Sequence, residues 1–225
     1  MARLKEKIDD EEKIDPIITG IIGKAGFDGI IGFGATVPER PRISSGSLSL
    51  DLALGGGLPR DRIIEYFGLN SSFKTTMALI AMKSYVDEFG YSRVPFIIDM
   101  ERTITAKFVT GFGLDVNKIL FAQPMTAESA LDIAEKFLAS GSCGFGIFDS
   151  VDACETEKEL NRNLKEQGMA ELPKLLSRAL RGMSKIAVDQ DCGLIFINQL
   201  RASLNMYSPA PVTSGGAAIP YYASI

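Results

Sequence analysis

The 225-residue chain contains no histidine, and this removes a whole class of chemistry. Imidazole titrates near neutral pH and is a frequent metal ligand, so histidine-based acid–base catalysis and histidine metal sites are excluded. Cysteine is scarce as well, since Cys143, Cys154 and Cys192 are odd in number and show no C-x-x-C spacing. This usage argues against a disulfide framework or a zinc site and indicates small buried thiols in a reducing cytosol.

A long uninterrupted apolar run is also missing. The most apolar stretch, residues 17–35, is broken by Lys24, Asp28 and six glycines, and it is therefore not typical of a membrane span. The first residues, MARLKEKIDDEEKID, are charged throughout and cannot form a signal peptide. We therefore expect a cytoplasmic protein that does not enter a membrane.

An excess of positive charge is absent too, because 24 lysines and arginines stand against 28 aspartates and glutamates, which gives a net charge of −4. Affinity for nucleic acid follows the charges close to the phosphates rather than the sum over the chain. Any binding of nucleic acid must therefore come from a local basic patch.

The texture of the chain changes near residue 40. Residues 1–40 begin with alternating blocks of charge and continue with glycines at every third place from 20 to 32. This composition predicts an arm and linker that is either a flexible connector or a segment that packs on a neighbouring subunit. Residues 41–225 have the length and composition of one globular domain.

Apolar runs and amphipathic stretches alternate along residues 41–225, and they predict four strands and three helices. The predicted strands are 62–68, 94–101, 145–150 and 193–199, and the predicted helices are 75–90, 128–141 and 172–190. Near-continuous apolar strands separated by helices indicate a mostly parallel sheet with helices on both faces. The predicted fold class is therefore α/β.

The stretch GLNSSFKT, residues 68–75, lies between the first predicted strand and the first predicted helix. It has the length and the ends of the phosphate-binding pattern G-x-x-x-x-G-K-[ST]. Backbone N–H groups at the helix start would hold phosphate, Lys74 would neutralise its charge, and the Thr75 hydroxyl would reach a metal ion. The predicted nucleotide contacts are Gly68, Leu69, Asn70, Ser71, Ser72, Phe73, Lys74, Thr75 and Thr76.

Phe73 stands where this pattern has its second glycine. Glycine there gives the backbone freedom and lets it approach phosphate closely. A bulky residue is tolerable at this place only if its φ is negative and its ring points away from the nucleotide, so its presence here puts a penalty on the loop geometry.

Ligands of an open parallel sheet bind at the carboxyl ends of its strands. Polar residues occupy those ends in this chain: Asp99, Glu101, Asp149, Ser150, Asn198 and Gln199. Asp149 is placed to hold Mg²⁺ through water, and Glu101 to orient and deprotonate an attacking water. Each acid taken alone has an alternative role as a solvated or capping carboxylate. Taken together beside the loop, they predict binding and hydrolysis of a magnesium nucleotide.

Four basic residues recur at helical spacing on the last predicted helix, and they form one stripe on an otherwise acidic protein. They are Lys174, Arg178, Arg181 and Lys185. The stripe predicts contacts to the phosphates of nucleic acid, with a solvated helix face as the alternative.

Five segments resemble the RecA recombinases in sequence, spacing and order, from about residue 40 to the end of the chain. They are SSGSLSLDLALGGGLPRDRIIEYFGLNSSFKTT, FIIDMERTIT, GIFDSVDA, LIFINQLR and TSGGAAIPYYAS. The aromatic residue in place of the second loop glycine is similar to the phage UvsX branch of that family. The resemblance implies a RecA-like P-loop core and a DNA-dependent ATPase that polymerises as helical filaments on single-stranded DNA. It also implies pairing with homologous double-stranded DNA in recombination and repair.

The resemblance implies ATP and Mg²⁺ as cofactors and gives roles to particular residues. Asp149 matches the Walker B acid and shares the metal with Thr75, while Glu101 matches the catalytic base. Gln199 matches the glutamine that senses the γ-phosphate. Phe108 falls where the family stacks an aromatic ring on adenine, with a core phenylalanine on a helix as the alternative.

By the same resemblance, residues 156–170 and 200–214 correspond to two DNA-binding loops. Met169 matches an apolar wedge that separates base triplets, and Tyr207 lies where an aromatic side chain could insert between bases. The other implied DNA contacts are Lys174, Ser177, Arg181, Arg201, Gly215 and Gly216.

The chain departs from the family pattern at its end. It stops at YYASI, where the pattern begins another strand, and Pro220 replaces a lysine. These departures predict a core that is incomplete at its C-terminus. Two alternatives stay open: a truncated, non-catalytic filament subunit, and another RecA-fold ATPase such as a hexameric helicase.

Overall fold

Strands and helices alternate along the chain, and a computed structural model describes them for residues 39–161, 171–201 and 212–225. The strands and helices, in chain order, are β1 (Arg42–Ile43), α1 (Leu48–Ala53), β2 (Leu58–Pro59), β3 (Ile63–Gly68), α2 (Lys74–Phe89), β4 (Val94–Asp99), α3 (Ala106–Thr110), β5 (Leu120–Ala122), α4 (Ala127–Ala139), β6 (Cys143–Asp149), α5 (Glu157–Leu160), α6 (Leu172–Asp189), β7 (Gly193–Arg201), β8 (Val212–Thr213) and α7 (Ala218–Tyr222). Short 3-10 helices cover Val116–Lys118 and Val151–Ala153.

The main sheet has the strand order β3-β7-β6-β4-β5, and all four pairings along it are parallel. Among the described strands, β8 pairs antiparallel with β7, and β1 and β2 form a separate antiparallel pair. Parallel strands need crossover connections, and here helices supply them. The prediction of a mostly parallel sheet in an α/β fold is confirmed.

Alternate residues of each strand face opposite sides of the sheet, and each side has its own apolar cluster. On one side, α2 contributes Leu79 and Met82 to a cluster that includes Ile97 of β4. On the other side, α4 and α6 contribute Leu131 and Leu180 to a cluster with the β4, β6 and β7 phenylalanines. The predicted coverage of both faces is confirmed, and burial on both sides explains why β4, β6 and β7 are apolar up to their polar carboxyl ends.

The seven predicted elements lie within two residues of their predicted bounds, whereas β1, α1, β2, α3, β5, α5, β8 and α7 were not predicted. These missed elements have two to six residues, too few to display a clear periodicity. None of the helices within the described parts of the chain is long and apolar enough to cross a membrane.

The two ends of the chain differ in what the structure describes. At the carboxyl end, Ser224 donates a backbone hydrogen bond to Ile63 and Ile225 accepts one from Glu65, both at 2.9 Å, so the chain lines up beside β3. Residues 40–225 form one compact unit. The predicted arm of residues 1–40 lies outside the described residues up to position 38, and its role stays a prediction.

Candidate functional site

A cleft of about 580 Å³ opens at the carboxyl ends of β3, β4, β6 and β7. Its lining comes from the loop and first turn of α2, residues 70–76, together with Glu101, Asp149, Ile197 and Gln199. Gly68 and Leu69 precede this lining at the end of β3. The structure thus brings the predicted phosphate loop, both predicted acids and the predicted amide to one place. The volume is in the range of small-ligand sites.

The N-terminus of α2 faces this cleft and favours the binding of an anion there. A sixteen-residue helix begins at Lys74, and its first N–H groups have no partner within the helix. Those groups and the helix dipole favour negative charge at this point. The loop therefore has the local structure that phosphate binding requires.

Phe73 occupies the residue immediately before α2 with φ 63°, in the left-handed region. The condition of a negative φ is not met, because the backbone must turn sharply here to enter the helix. Ser71 shares this conformation with φ 57°. Such a conformation costs a residue with a Cβ about 1–2 kcal/mol, whereas glycine adopts it freely. Phe73 is 73% exposed and belongs to the lining of the cleft, so the position of its ring relative to a nucleotide stays a prediction.

Lys74 folds back over its own loop. Its ammonium group donates hydrogen bonds to the carbonyl oxygens of Leu69 at 2.8 Å and Gly68 at 3.3 Å. These bonds hold the positive charge at the centre of the loop, where a phosphate group held by the helix N-terminus would meet it.

Thr75 and Asp149 are joined directly. The Thr75 hydroxyl donates to Oδ2 of Asp149 at 2.7 Å, and the carboxyl group is buried at the end of β6. Burial raises the pKa of Asp149 to about 6; the Thr75 hydrogen bond opposes this, and the negative charges of Glu101 and Asp99 add to it. A cation beside Asp149 would relieve this unfavourable burial of charge.

The oxygen-rich donor set fits Mg²⁺ as a nucleotide-bound ion rather than a protein-held one. Within residues 39–161, 171–201 and 212–225, no cluster of three or more acidic or cysteine side chains could hold a metal by itself. Mg²⁺ typically keeps several waters and takes one or two protein oxygens plus substrate phosphates. Thr75 and Asp149 could supply those protein oxygens.

Glu101 links the ends of three strands. One of its carboxylate oxygens accepts hydrogen bonds from the Ser150 hydroxyl and, at 3.2 Å, from the Gln199 side-chain amide. The amide predicted to sense phosphate therefore contacts the acid predicted to activate water. Asp99, by contrast, is fully buried and accepts bonds from the backbone of Ile104 and the side chain of Gln123, which is the capping role left open for a strand-end acid.

Phe108 lies outside the lining of the cleft. It sits on α3, where its ring packs edge to face on Phe112 with 5.2 Å between centroids and remains 40% exposed. Contact with adenine stays a prediction.

The basic stripe lies along the solvent side of α6. Lys174, Arg178, Arg181 and Lys185 are all exposed. Arg178 and Arg181 line a shallow depression with Lys174, Ser177 and Pro173. Arg181 also donates from Nε to the Tyr222 hydroxyl at 3.3 Å. The two base-contacting predictions, Met169 and Tyr207, lie outside the described residues.

Packing against α6 requires a glycine at position 215, independently of any contact with DNA. Its φ is +80°, and a Cβ built on it would lie 2.4 Å from Cδ1 of Leu176 on α6 and 3.2 Å from a methyl group of Val151. Any larger residue would push the segment after β8 away from α6. Gly216 is less tight, since its nearest atom is a Pro173 carbon at 3.5 Å.

Arg201, the last residue of β7, makes an ion pair that sequence reasoning missed. Its Nε and Nη2 groups both lie 2.7 Å from Oδ1 of Asp152, which also accepts a hydrogen bond from the Ser214 hydroxyl. Hydrogen bonds from Arg201 and Ser214 outweigh the effect of burial and lower the pKa of Asp152. No local signal marks Asp152, because its partners lie 49 and 62 residues further along the chain.

A second missed feature is a buried polar link behind the cleft. Asn198 donates to the Glu65 carboxylate at 2.8 Å and to the Ser214 carbonyl at 2.9 Å, while its own oxygen accepts from the Gln199 backbone. Burial raises the pKa of Glu65, against the effect of the Asn198 hydrogen bond. The link joins β3, the strand end beside Glu101 and the segment after β8. Its only sequence signal is a charged residue inside an apolar run.

Comparison with known proteins places this arrangement in a wider group. A family model described as "RecA N-terminal domain" matches residues 13–225. The Protein RecA of Rippkaea orientalis (strain PCC 8801 / RF-1) is 36% identical over 227 residues, covering 100% of this chain and 64% of that protein. The Protein RecA of Crocosphaera subtropica (strain ATCC 51142 / BH68) is 34% identical with the same coverage. That of Nostoc sp. (strain PCC 7120 / SAG 25.82 / UTEX 2576) is 37% identical over 184 residues, covering 81% of this chain and 51% of that protein.

The chain spans 64% of the length of the first two of these relatives. The family model, in contrast, extends over almost the whole chain and includes every element that surrounds the cleft. The match in sequence and the parallel sheet with its strand-end cleft agree, and the chain belongs to the RecA family.

Proposed function

We propose that this protein is a DNA-dependent ATPase that forms filaments on single-stranded DNA and pairs it with homologous double-stranded DNA. The observation that carries the proposal is the meeting of Lys74, Thr75, Asp149, Glu101 and Gln199 in one cleft at the strand ends. The names of its relatives support the recombinase assignment. A cytoplasmic location is part of the proposal and accords with three free, buried cysteine thiols.

Each side chain has a separate task in ATP hydrolysis. The N–H groups at the start of α2 and the Lys74 ammonium group bind the phosphates. Thr75 and Asp149 would hold Mg²⁺, which supplies positive charge to the phosphate oxygens when bound. Glu101 orients a water molecule and accepts its proton.

The contact between Gln199 and Glu101 gives the site a way to respond to the γ-phosphate. The side-chain amide of Gln199 can donate either to Glu101, 3.2 Å away, or to a phosphate oxygen in the same cleft. A change of partner would free the Glu101 carboxylate for water. It would also displace the end of β7, which leads directly to Arg201 and the predicted second DNA loop.

The DNA surface proposed here has two described parts: the exposed stripe on α6 and Arg201 at the end of β7. The stripe repeats at spacings of four, three and four residues, so its charges follow one side of the helix. This surface is the local basic patch that an acidic protein needs for binding phosphates. The loss of Lys174 and Arg181 should flatten the salt dependence of DNA binding by about one to two units in slope.

The phage-type branch is a further part of the proposal, supported by Phe73 in place of the loop glycine. The left-handed backbone at this residue favours a second candidate function: a filament subunit that binds ATP but hydrolyses it poorly. The two candidates differ in phosphate release, not in nucleotide binding.

Phosphate release from ATP, measured with and without single-stranded DNA, tests the enzyme directly. Wild type should hydrolyse ATP faster with DNA, and Glu101→Gln should lower the rate about a hundredfold or more while it still binds nucleotide. Lys74→Ala should lose both binding and turnover. Glu135→Gln and Lys136→Ala, exposed on α4 away from the cleft, are the matched controls.

Each outcome has a distinct meaning. Hydrolysis that responds neither to DNA nor to Lys74→Ala would refute the enzyme assignment. Nucleotide binding that depends on Lys74 without phosphate release would support the non-catalytic subunit instead.

A further inference from the structure

The carboxylate of Asp152 lies at the point where the two flanks of the predicted second DNA loop meet. Asp152 belongs to the 3-10 helix that follows β6. Its Oδ1 atom accepts from Arg201 on one flank and from Ser214 on the other. The pairing of β7 with β8, in which Arg201 is opposite Val212, brings these flanks together.

The ion pair occupies one of the two edges of the Arg201 guanidinium group that can bind a phosphate through a pair of donors. Nε and Nη2 form one of the two forks with which arginine binds a carboxylate or a phosphate, and both point at Asp152 at 2.7 Å. A DNA phosphate that approaches this fork competes with a carboxylate already in place.

The pair combines an exposed cation with a sheltered anion. The Arg201 side chain is 63% exposed and the Asp152 side chain 14%. An ion pair with one solvated partner is weak, so a phosphate can displace it. The carboxylate, held by Ser214 and by its short helix, then stays beside the incoming phosphate and repels it.

Arg181 provides an internal contrast. Its Nε donates to the hydroxyl of Tyr222, which is neutral. A phenol can orient a guanidinium group without cancelling its charge, so Arg181 offers a full positive charge to DNA whereas Arg201 offers a compensated one.

We propose that Asp152 limits the affinity of this protein for single-stranded DNA, because it acts as an internal substitute for phosphate on Arg201. This inference rests on the proposed DNA-binding function. It makes Arg201 a contact that forms only when DNA displaces Asp152, and it assigns an affinity-determining role to an acidic residue outside the nucleotide cleft.

The test is the affinity of the full chain for a fluorescent oligo-dT, measured by anisotropy over a NaCl series with ATP and Mg²⁺. Asp152→Asn keeps the shape and the acceptor oxygen but removes the charge. It should bind about fivefold more tightly at low salt, and its log–log salt slope should steepen by about 0.7, the value for one added phosphate contact on a single strand. Asp152→Ser, which is smaller, should change affinity in the same direction.

Three further variants serve as matched controls. Asp132→Asn removes the charge of an aspartate in an exposed ion pair on α4 and should leave binding unchanged. Tyr222→Phe removes the neutral partner of Arg181 and should leave the salt slope unchanged. Arg201→Ala should weaken binding more in the Asp152→Asn background than in wild type, because only there is the arginine uncompensated.

The outcomes separate this inference from the proposed function. Tighter and more salt-dependent binding by Asp152→Asn, with unchanged circular dichroism, supports it. Equal or weaker binding by Asp152→Asn and Asp152→Ser, while wild type binds DNA, overturns it and leaves DNA binding intact. A wild-type chain that does not bind the oligonucleotide under any salt condition overturns both.

Discussion

The left-handed backbone at Phe73 leads to a prediction with an unusual sign: a change to glycine should stabilise the protein relative to a change to alanine. Alanine keeps the Cβ and so keeps the cost of φ 63°, about 1–2 kcal/mol, which glycine removes. Glycine also gives the unfolded chain more conformational entropy, and this lowers the stability of the Phe73→Gly variant by about 0.5–1 kcal/mol. The ring is mostly exposed, so its loss is common to both variants and small.

The expected difference is therefore about 0.5–1 kcal/mol in favour of Phe73→Gly, or ~2 °C in Tm for a chain of this length. Urea unfolding followed by circular dichroism measures this difference, provided that the free energy of unfolding depends on urea concentration with the same slope in both variants. Asp87, exposed within α2, provides the matched pair. There the backbone is helical, and glycine should be less stable than alanine by about 1 kcal/mol.

The reasoning fails if Phe73→Gly is less stable than Phe73→Ala while the Asp87 pair behaves as expected. That result would mean that the loop does not hold a left-handed residue at position 73. If Phe73→Gly binds ATP more tightly than wild type and Phe73→Ala does not, the backbone strain also limits how closely the loop approaches phosphate.

Two further predictions concern packing and buried charge. Gly215→Ala should lower the free energy of unfolding in urea by about 1–3 kcal/mol, because the added Cβ would overlap Leu176. Gly55→Ala is the control: Gly55 has φ +70° but no atom within 4 Å of an added Cβ, so this variant should lose only the cost of the left-handed backbone. Equal losses in the two variants would contradict the overlap. Asp149→Asn should raise stability at pH 8 by about 1–3 kcal/mol, because burial holds the folded pKa at about 6, above the usual 3.8. Between about pH 4 and pH 6 the folded state binds more protons than the unfolded state, so the wild-type protein loses stability as pH rises through this range. The stability difference between Asp149→Asn and wild type should therefore vanish near pH 4. A difference that persists at pH 4 would show that the raised pKa of Asp149 is not its cause.

Much of the fold follows from the sequence because its signals are local and periodic. Apolar runs of strand length predicted β3, β4, β6 and β7, and parallel topology then required their carboxyl ends to share one edge. The positions of Glu101, Asp149 and Gln199 beside the loop follow from that requirement alone. Short edge elements such as β5, with three residues and two of them exposed, carry no such signal.

The sequence alone determined that a phosphate loop exists, which strands surround it and which polar residues stand at their ends. Tertiary structure alone decided the left-handed turn at Phe73, the contact of Gly215 with Leu176, and the pairing of Asp152 with Arg201. The physical reason is the distance along the chain over which each signal acts. The spacing of neighbouring residues encodes periodicity and strand direction. A backbone turn constrained by packing, or an ion pair between residues 49 positions apart, depends instead on where separate elements meet.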